Sequence, residues 1–471
     1  MKIVNDKSYK KLVKNMGFLT IGNFASKMLN YLLVPLYTNV LSTEQYGIAD
    51  LITTTIALLV PLFSIQISEA VMRFLLDKED TERVMGSALR VLEIGLVLAT
   101  ICSPILLFFN SISKYYWLFM FLLYSDIIYT FVSQFIKGIE KVFIYSMAGV
   151  INTFVVAIAN IILLVFCKWG IEGYLLSFVL GYFVAIVYMI ATSRKYIKKG
   201  WSKSVDKTLI KKMIFYSIPL IPNAMCWWIN CSSDKYFVNI FCGAAAVGIY
   251  AVAYKVPSLL STVMSIFFGA WQISAVEDFG SETSRSFFSD IYRKTLLMNV
   301  FASSVLIGVS KYLGKILFAD DFFVAWKYTI LLVIAYFFST MASFLGSIYT
   351  CGKQTKMLFV TSVISAGVNF VLNLILIPFV GLFGAALATI ICYMVVFFIR
   401  YFDSKKILEL DFKFSYLLIS IFILVLLGVG NYMELPYAMV INVLSYLSIG
   451  TVVFKEFGVY IWQFFKNRKL K

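Results

Sequence analysis

The sequence predicts an all-α polytopic membrane protein of about fourteen transmembrane helices, with two pseudo-symmetric six-helix lobes followed by two appended C-terminal helices. Three observations support this fold class. Of the 471 residues, 61% are hydrophobic and only 14% are charged, and the mean hydropathy is +0.87, which is too apolar for a soluble domain. Apolar runs of about 20 residues, long enough to cross a bilayer, recur along the chain. Part of the sequence also repeats about 200 positions later.

The apolar runs define fourteen predicted spans, numbered here from 1 to 14. They lie at 13–40, 46–72, 85–109, 115–136, 143–167, 171–192, 212–240, 247–275, 294–317, 323–350, 357–378, 382–402, 415–431 and 436–458. Span 1 contains Pro35, and span 7 contains Pro219 and Pro222, so both are predicted to be long and broken. Because the number of spans is even, both chain ends are expected on one side of the membrane.

An internal repeat relates the first half of the chain to the second. The residues Ile21, Asn23, Asn30 and Asn39 recur as Ile221, Asn223, Asn230 and Asn239, Gly47-Ile48 recurs as Gly248-Ile249, and Gly170-Ile171-Glu172-Gly173 matches Gly381-Leu382-Phe383-Gly384. Matched Asn residues carry the most weight, because polar groups inside a bilayer are costly. The repeat predicts two fused six-helix bundles in the same orientation, with a cavity between them, as in many secondary transporters.

The distribution of basic residues predicts the orientation. The net charge is +16, and clusters of Lys and Arg lie in both tails and in the loops 193–212 and 403–413, whereas 379–382 and 431–435 have none. This positive-inside pattern places both termini in the cytoplasm and argues against nucleic-acid binding. We predict an N-terminal lobe at 1–192, a basic cytoplasmic linker at 193–212, a C-terminal lobe at 213–402, and helices 13 and 14 with a basic tail at 403–471.

The composition argues against an enzyme or a metalloprotein. The chain has no His, and its seven Cys show no CxxC spacing, so imidazole metal sites are excluded and the Cys are expected to be free packing residues. The turn Gly352-Lys353-Gln354-Thr355 lacks the spacing and the Ser or Thr of a phosphate-binding loop. The predicted outer loops are too short to bind the acceptor substrate of a membrane glycosyltransferase or polymerase. No cofactor is expected.

Polar residues form stripes on four of the apolar spans. Span 1 carries Asn23, Lys27 and Asn30, span 7 carries Asn223, Asn230 and Asp234, span 8 carries Lys255, and span 2 carries Glu69 and Arg73 near its inner end. Such residues either pack helices together or line a central cavity. For Lys27 and Lys255 the cavity is favoured, because a mid-membrane lysine costs about 2.5 kcal/mol or more unless it is paired or hydrated. For Lys235, a local ion pair with Asp234 or snorkelling is an alternative.

Several stretches resemble the bacterial polysaccharide flippase family, which belongs to the multidrug/oligosaccharidyl-lipid/polysaccharide exporter superfamily. The similar stretches lie at 34–47, 137–141, 168–174, 216–223, 232–236 (Ser232-Ser233-Asp234-Lys235-Tyr236), 248–257 (ending Tyr254-Lys255-Val256-Pro257) and 270–274. The resemblance covers nearly the whole chain through span 12.

The resemblance implies a function, which is written here as an expectation. It implies a monomeric alternating-access transporter of the bacterial plasma membrane that moves undecaprenyl-pyrophosphate-linked oligosaccharide, such as a capsule or O-antigen repeat unit, to the outer leaflet. Membrane lipids and polysaccharide assembly proteins are the implied partners. Lys27, Arg73, Lys235 and Lys255 would make the cavity cationic, and helices 13 and 14 would form a groove for the lipid tail.

The driving force and two alternative substrates stay open. The membrane potential, H⁺ or Na⁺ are candidates for coupling, and Glu69, Asp126 and Asp234 are the carboxylates that we consider first as ion carriers. Superfamily members also flip the peptidoglycan lipid precursor, whose cavity chemistry would be nearly the same. Others are cation-coupled multidrug antiporters, which need an acidic cavity, and the basic Lys27 on span 1 argues against that class.

Overall fold

The computed structural model describes residues 27–29, 31–108, 110–201, 206–411, 414–451 and 455, and all regular elements within these residues are helices. The backbone contacts divide the chain into two compact units, Met1–Ser232 and Ser233–Lys471. The boundary falls inside the helix Leu220–Cys242. The predicted lobes at 1–192 and 213–402, with a linker between them, stay a prediction.

The first unit is built around one buried helix. Its helices are α1 Val34–Val40, α2 Thr43–Phe63, α3 Ile67–Leu76, α4 Thr81–Cys102, α5 Tyr116–Gly138, α6 Val142–Asn160, α7 Gly170–Trp201 and α8 Lys207–Ser217. A 3-10 turn (Ser103–Phe108) extends α4, and a π-helical turn (Ile161–Phe166) extends α6. The most buried helix is α5, which packs on α7 and α3.

The second unit is also built around one buried helix. Its helices are α9 Leu220–Cys242, which begins in the first unit, α10 Ala244–Ala253, α11 Lys255–Asp278, α12 Ser284–Leu317, α13 Ala325–Cys351, α14 Thr355–Asp403, α15 Phe414–Tyr432 and α16 Ala438–Thr451. The most buried of these, α13, packs on α14 and α12. Within the described residues, ten helices are long and apolar enough to cross a membrane. The predicted all-α polytopic membrane fold is therefore confirmed.

The breaks expected in spans 1 and 7 are present. In span 1, Leu33 is a turn residue and α1 begins at Val34, next to Pro35. In span 7, α8 ends at Ser217 and α9 begins at Leu220. Proline lacks the N–H that would continue the helical ladder, so the chain breaks where the prolines lie.

Spans 2 and 8 have local features that the sequence analysis did not anticipate. Between α2 and α3, Ile65 and Gln66 adopt φ of +52° and +50°, a left-handed turn without glycine that leaves no mark in the sequence. In span 8, Tyr254 separates α10 from α11. Because Pro257 has no N–H, the Ala253 carbonyl loses its helical partner. The Thr329 hydroxyl donates to that carbonyl at 3.2 Å and satisfies it.

The repeat found in the sequence is visible in the backbone of each unit. Gly170 begins α7 with φ +56°, and Gly381, its match in the repeat, interrupts α14 with φ +56°. Glycine adopts this left-handed conformation without a steric penalty. The two matched glycines therefore turn the chain in the same way, and α14 consists of the two helices predicted as spans 11 and 12.

Candidate functional site

The candidate residues of span 1 are only partly described. Asn23 and Asn30 lie outside the described residues, so their predicted roles stay predictions. Lys27 is described, and it is exposed. An exposed lysine is accessible to an anionic head group.

The acidic and basic residues of α3 have different partners. The Gln134 amide of α5 donates to Glu69 Oε1 at 2.5 Å. Arg73 Nε lies 3.2 Å from Asp77 Oδ2, and both side chains are more than half exposed. Arg73 was predicted as a cavity cation, but Asp77 on the same helix compensates its charge.

Another predicted ion carrier of the first unit, Asp126, lies in the middle of α5. Asp126 Oδ1 accepts a hydrogen bond from the Thr130 hydroxyl, one turn later, at 3.3 Å. Asp126 is half-buried. Within the described residues neither Glu69 nor Asp126 forms an ion pair, so both carboxyl groups are held by neutral partners.

The first part of α9 carries two polar residues of span 7 and also forms a hydrogen bond to span 2. Asn223 is exposed, whereas Asn230 is buried and its amide donates to the Cys226 carbonyl at 3.1 Å. The Trp228 indole N–H donates to the Thr54 carbonyl of α2 at 2.9 Å. The sequence analysis missed Trp228, because the polar end of an indole is hidden in a hydrophobic residue type.

Asp234 of α9 is the most buried of the predicted site residues that the structure describes, with 2% of its surface exposed. The Tyr254 hydroxyl donates to Asp234 Oδ2 at 2.7 Å, and the Lys235 backbone N–H donates to Oδ1 at 2.9 Å. These bonds offset the cost of removing the carboxyl group from water. The hydroxyl that binds Asp234 therefore comes from Tyr254, the residue between α10 and α11.

An amide cluster lies next to Asp234 and was missed by the sequence analysis. The Ser233 hydroxyl donates to Asn369 Oδ1 at 3.2 Å, and Asn373 Nδ2 donates to the same oxygen at 2.9 Å. Asn373 Oδ1 is buried and accepts no hydrogen bond within the described part of the chain. Carboxyl and amide oxygens are ligands that hard cations prefer. The signal in the sequence was two Asn residues at i and i+4 in an apolar run.

One lysine follows Asp234 in the chain, and another follows Tyr254, which binds the Asp234 carboxyl group. Lys235 and Lys255 are both half-buried. Lys255 is the first residue of α11, directly after Tyr254. Among the described residues no carboxylate pairs with Lys255. A half-buried ammonium without a counter-ion in a membrane helix is a candidate anion ligand.

Comparison with known proteins assigns a class to this fold and site. Residues 12–272, more than half of the chain, match the family model described as polysaccharide biosynthesis protein. The chain therefore belongs to this family, and the resemblance to polysaccharide flippases is confirmed. Because ten of its described helices are long and apolar enough to cross a membrane, it is a multi-pass membrane protein.

Individual relatives agree with this class. An uncharacterised membrane protein of Methanocaldococcus jannaschii is 22% identical over 423 residues, which cover 84% of this chain and 98% of that protein. The lipid II flippase MurJ, in an inward closed conformation, has a TM-score of 0.71 at 16% identity, covering 93% of this chain and 99% of MurJ. An inward-facing multidrug resistance MATE transporter has a TM-score of 0.65 at 13% identity, covering 82% and 98%. At these identities the solved structures establish a shared fold.

Proposed function

We propose that this protein is a flippase that moves undecaprenyl-pyrophosphate-linked oligosaccharide from the cytoplasmic to the outer leaflet of the bacterial plasma membrane by alternating access. The cargo is a repeat unit of a capsule, an O-antigen or another surface polysaccharide. The observation that carries the proposal is Lys255, a half-buried membrane cation that no described carboxylate neutralises, in a chain of the polysaccharide biosynthesis family.

The chemistry of the cargo fits these side chains. A sugar-pyrophosphate head group cannot cross hydrocarbon unaided, because each unsatisfied polar group costs several kcal/mol there. Lys27 and Lys255 would attract the pyrophosphate as point charges, with Lys235 and Arg73 as weaker contributors because an acidic residue lies beside each. Asn223 and Asn230, and Asn23 and Asn30 as predicted, would offer amides to the sugar hydroxyls.

The membrane potential would favour this direction of transport. Moving one negative charge outward through an inside-negative potential releases about 2.3 kcal/mol per 100 mV. For a second ion, Asp234 is the residue that we propose as a carrier of Na⁺ or H⁺ in the second unit. Its burial, the neighbouring amide cluster and the unpartnered Asn373 oxygen support this role.

A peptidoglycan lipid-precursor flippase is the second candidate. The structural likeness to the lipid II flippase MurJ, which spans 93% of this chain, favours it. The two cargoes share a pyrophosphate and differ in their sugars, so the same lysines would serve both. A drug antiporter would require acidic residues to dominate the site, and Lys27 and Lys255 argue against that.

Transport by the purified protein in proteoliposomes tests the proposal. Labelled undecaprenyl-pyrophosphate oligosaccharide, lipid II and a cationic dye are compared as cargoes, and an impermeant glycosidase reports the leaflet of the lipid-linked sugars. We expect the oligosaccharide lipid to move, and to move faster under an inside-negative potential.

Lys255→Ala is the decisive variant. Removing a cation that binds a desolvated phosphate should slow transport at least about tenfold, which corresponds to about 1.4 kcal/mol or more. Lys315→Ala removes an exposed lysine at the end of α12 and should transport normally. Normal transport by Lys255→Ala would contradict the assignment of this lysine. Dye exchange without lipid movement would contradict the proposed function.

A further inference from the structure

A polar stripe runs along α5, the most buried helix of the first unit. Asp126, Thr130 and Gln134 follow one another at four-residue steps, which places them on one face of the helix. All three are half-buried, whereas Phe131 and Phe135 beside them are buried. Ionisable residues within membrane helices mark proton or ion pathways by default, because their burial in lipid is costly.

The partners of the two acidic residues suit either protonation state. Glu69 bonds to the Gln134 amide and Asp126 bonds to the Thr130 hydroxyl. A hydroxyl and an amide each donate to a carboxylate and accept from a carboxylic acid. Gln134 Oε1 is buried and accepts no hydrogen bond within the described residues, so after rotation of the amide it is available to protonated Glu69.

Two acidic residues at the ends of helices in the first unit, Asp77 after α3 and Asp206 before α8, have a different environment. Asp77 pairs with Arg73, and Asp206 pairs with Arg83. A guanidinium only donates and accepts no hydrogen bond, so it offers no acceptor to the O–H of a carboxylic acid. Glu69 and Asp126 are therefore distinguished from these two residues by partners that can both donate to a carboxyl group and accept from it.

The second unit provides an internal control for the helix that carries Glu69. The helices α3 and α11 end at Leu76 and Asp278, 202 residues apart. This register aligns Glu69 with Trp271. The Trp271 indole N–H donates to Ser347 of α13 at 2.9 Å. A hydrogen bond thus joins the matching pair of helices in both units, but in the second unit it runs in the opposite direction and both of its members are neutral.

A matching register relates the stripe on α5 to α13. Beyond their C-terminal ends, Glu140 and Lys353 have φ of +59° and +58°, 213 residues apart, and the same turn hydrogen bonds surround them. This register aligns Asp126, Thr130 and Gln134 with three serines, Ser339, Ser343 and Ser347. The second unit therefore packs the same contact without a carboxylate, so packing does not account for Glu69 or Asp126.

The position of the two acids defines a path. Glu69 and Gln134 lie near the end of α5 that is predicted to be cytoplasmic, and Asp126 lies near its middle, about 12 Å further along the helix. The titratable groups next to Asp126 are Tyr129 on the same helix and Tyr182 of α7, and Tyr145 of α6 lies near Tyr129.

We propose that Glu69 and Asp126 carry protons between the cytoplasmic side and the middle of the membrane, and that their protonation couples transport to the proton gradient. This inference rests on the proposed function for its cargo. In each step a proton binds a carboxylate oxygen to give a carboxylic acid, and no other covalent bond changes. Glu69, which is half-buried, is the member of the path nearer the cytoplasmic side, and Asp126 is the member nearer the middle of the membrane.

Infrared spectroscopy of the purified protein in lipid tests the proton carriers without any cargo. The wild type should show a carboxylic C=O stretch that disappears as the pH rises. Glu69→Gln and Asp126→Asn should each lose part of this band. Glu93→Gln, which removes an exposed carboxyl group paired with Arg90, should keep it. A band that is identical in the wild type and both variants would overturn the proposal.

Transport under an imposed pH gradient, with the membrane potential clamped to zero, tests the coupling. The wild type should be accelerated by the gradient, whereas both variants should lose this acceleration and retain exchange without a gradient. Asp126→Ser introduces the residue found at the matching position of α13, so it provides a variant that packs even if Asp126→Asn does not. Full acceleration of the variants would overturn the coupling. A wild type that shows the infrared band but moves no oligosaccharide lipid would refute the proposed function alone.

Discussion

Single buried polar groups hold the helices of the second unit together, and Arg400 is the strongest case. Its guanidinium donates to the Thr361 hydroxyl at 3.0 Å, to the Ala342 carbonyl at 3.0 Å and to the Ser362 hydroxyl at 3.3 Å. It is buried and forms no ion pair within the described residues. A buried charge requires such hydrogen bonds to be tolerated, so Arg400 connects both halves of α14 with α13.

Gly346 of α13 makes room for this guanidinium, which leads to a prediction. A Cβ at Gly346 would lie 3.0 Å from Arg400 Nη1 and 3.3 Å from Leu358 Cδ1. Gly346→Ala should displace the guanidinium and destabilise the protein by about 1–3 kcal/mol, which a lower Tm in detergent would reveal. Gly367→Ala is the matched control, because a Cβ there meets no atom within 4 Å. Equal Tm values for both variants would contradict the packing argument.

The sequence predicted which basic residues belong to the candidate site, but not which of them have an acidic partner. Arg73, Lys235 and Lys255 are equivalent as basic residues in a sequence. In the structure Arg73 has Asp77 beside it, and Lys235 follows Asp234, whereas Lys255 has no described counter-ion. The type of residue was predictable from the cost of charge in a membrane, but its partner depends on the direction of each side chain.

At the scale of elements, an ion pair between an Arg and an Asp holds one connecting segment in each unit. In the first unit Arg83 of α4 binds Asp206, which precedes α8. In the second unit Arg285 of α12 binds Asp411, and Asp411 N–H donates to the Ser289 hydroxyl at 2.7 Å. Arg83 and Arg285 are 202 residues apart, the same register that relates α3 to α11. The repeat therefore extends to a contact that the sequence analysis did not identify.

Asp206 also caps α8, and this makes stability depend on pH. Hydrogen bonds from the Thr208 hydroxyl and the Leu209 N–H, and then from Arg83, hold the pKa of Asp206 below its usual value of about 3.9. A lowered pKa contributes stability that is fully present above the unfolded value and is lost as the pH falls toward the folded value. Asp206→Asn should therefore lower the Tm at pH 7, and the difference from wild type should shrink below about pH 4.

Thermal unfolding of Asp206→Asn over a series of pH values checks this expectation. Glu79→Gln is the control, since Glu79 is exposed and its side chain has no partner within the described residues. Its Tm should follow that of the wild type at every pH. A Tm difference for Asp206→Asn that does not depend on pH would show that the cap acts without its charge.

At the scale of the whole molecule, the orientation in the membrane is the property that the charges predict. The segments 193–212 and 403–413 are rich in Lys, whereas 431–435 has neither Lys nor Arg. The first of these segments was expected to be a loop, but it consists largely of the end of α7 and the beginning of α8. Basic segments between spans remain in the cytoplasm. Both chain ends and the segment 193–212 should therefore lie on the cytoplasmic side, and 431–435 on the outer side.

Cysteine labelling in a variant without its seven native cysteines tests this topology. Met433→Cys, in the turn after α15, should react with an impermeant maleimide in intact bacterial spheroplasts. Ser204→Cys, in the basic loop, should react only after the membrane is permeabilised. The reverse pattern would invert the direction of the proposed transport, because the cytoplasmic leaflet would then face the other end of every helix.

Features of the structure were predictable from the sequence where a single residue type imposes them. The breaks near Pro35 and Pro219 were predictable, because proline removes a hydrogen-bond donor wherever it occurs. The break at Ile65 and Gln66 was not, because it uses left-handed residues other than glycine. Glu69, Asp126 and Asp234 were singled out as carboxylates in apolar spans. Gln134, Thr130 and Tyr254 were not, because neutral polar residues are common in membrane helices.

The sequence by itself determined the all-helical membrane class, the approximate positions of the spans and the internal repeat. It did so because hydrocarbon offers no water to the backbone, so each apolar segment must form its hydrogen bonds within itself. Tertiary structure alone decided which polar groups meet. Glu69 and Gln134 are 65 residues apart in the chain, and Ser233 and Asn369 are 136 apart. Only the packing of separate helices brings such residues within hydrogen-bonding distance.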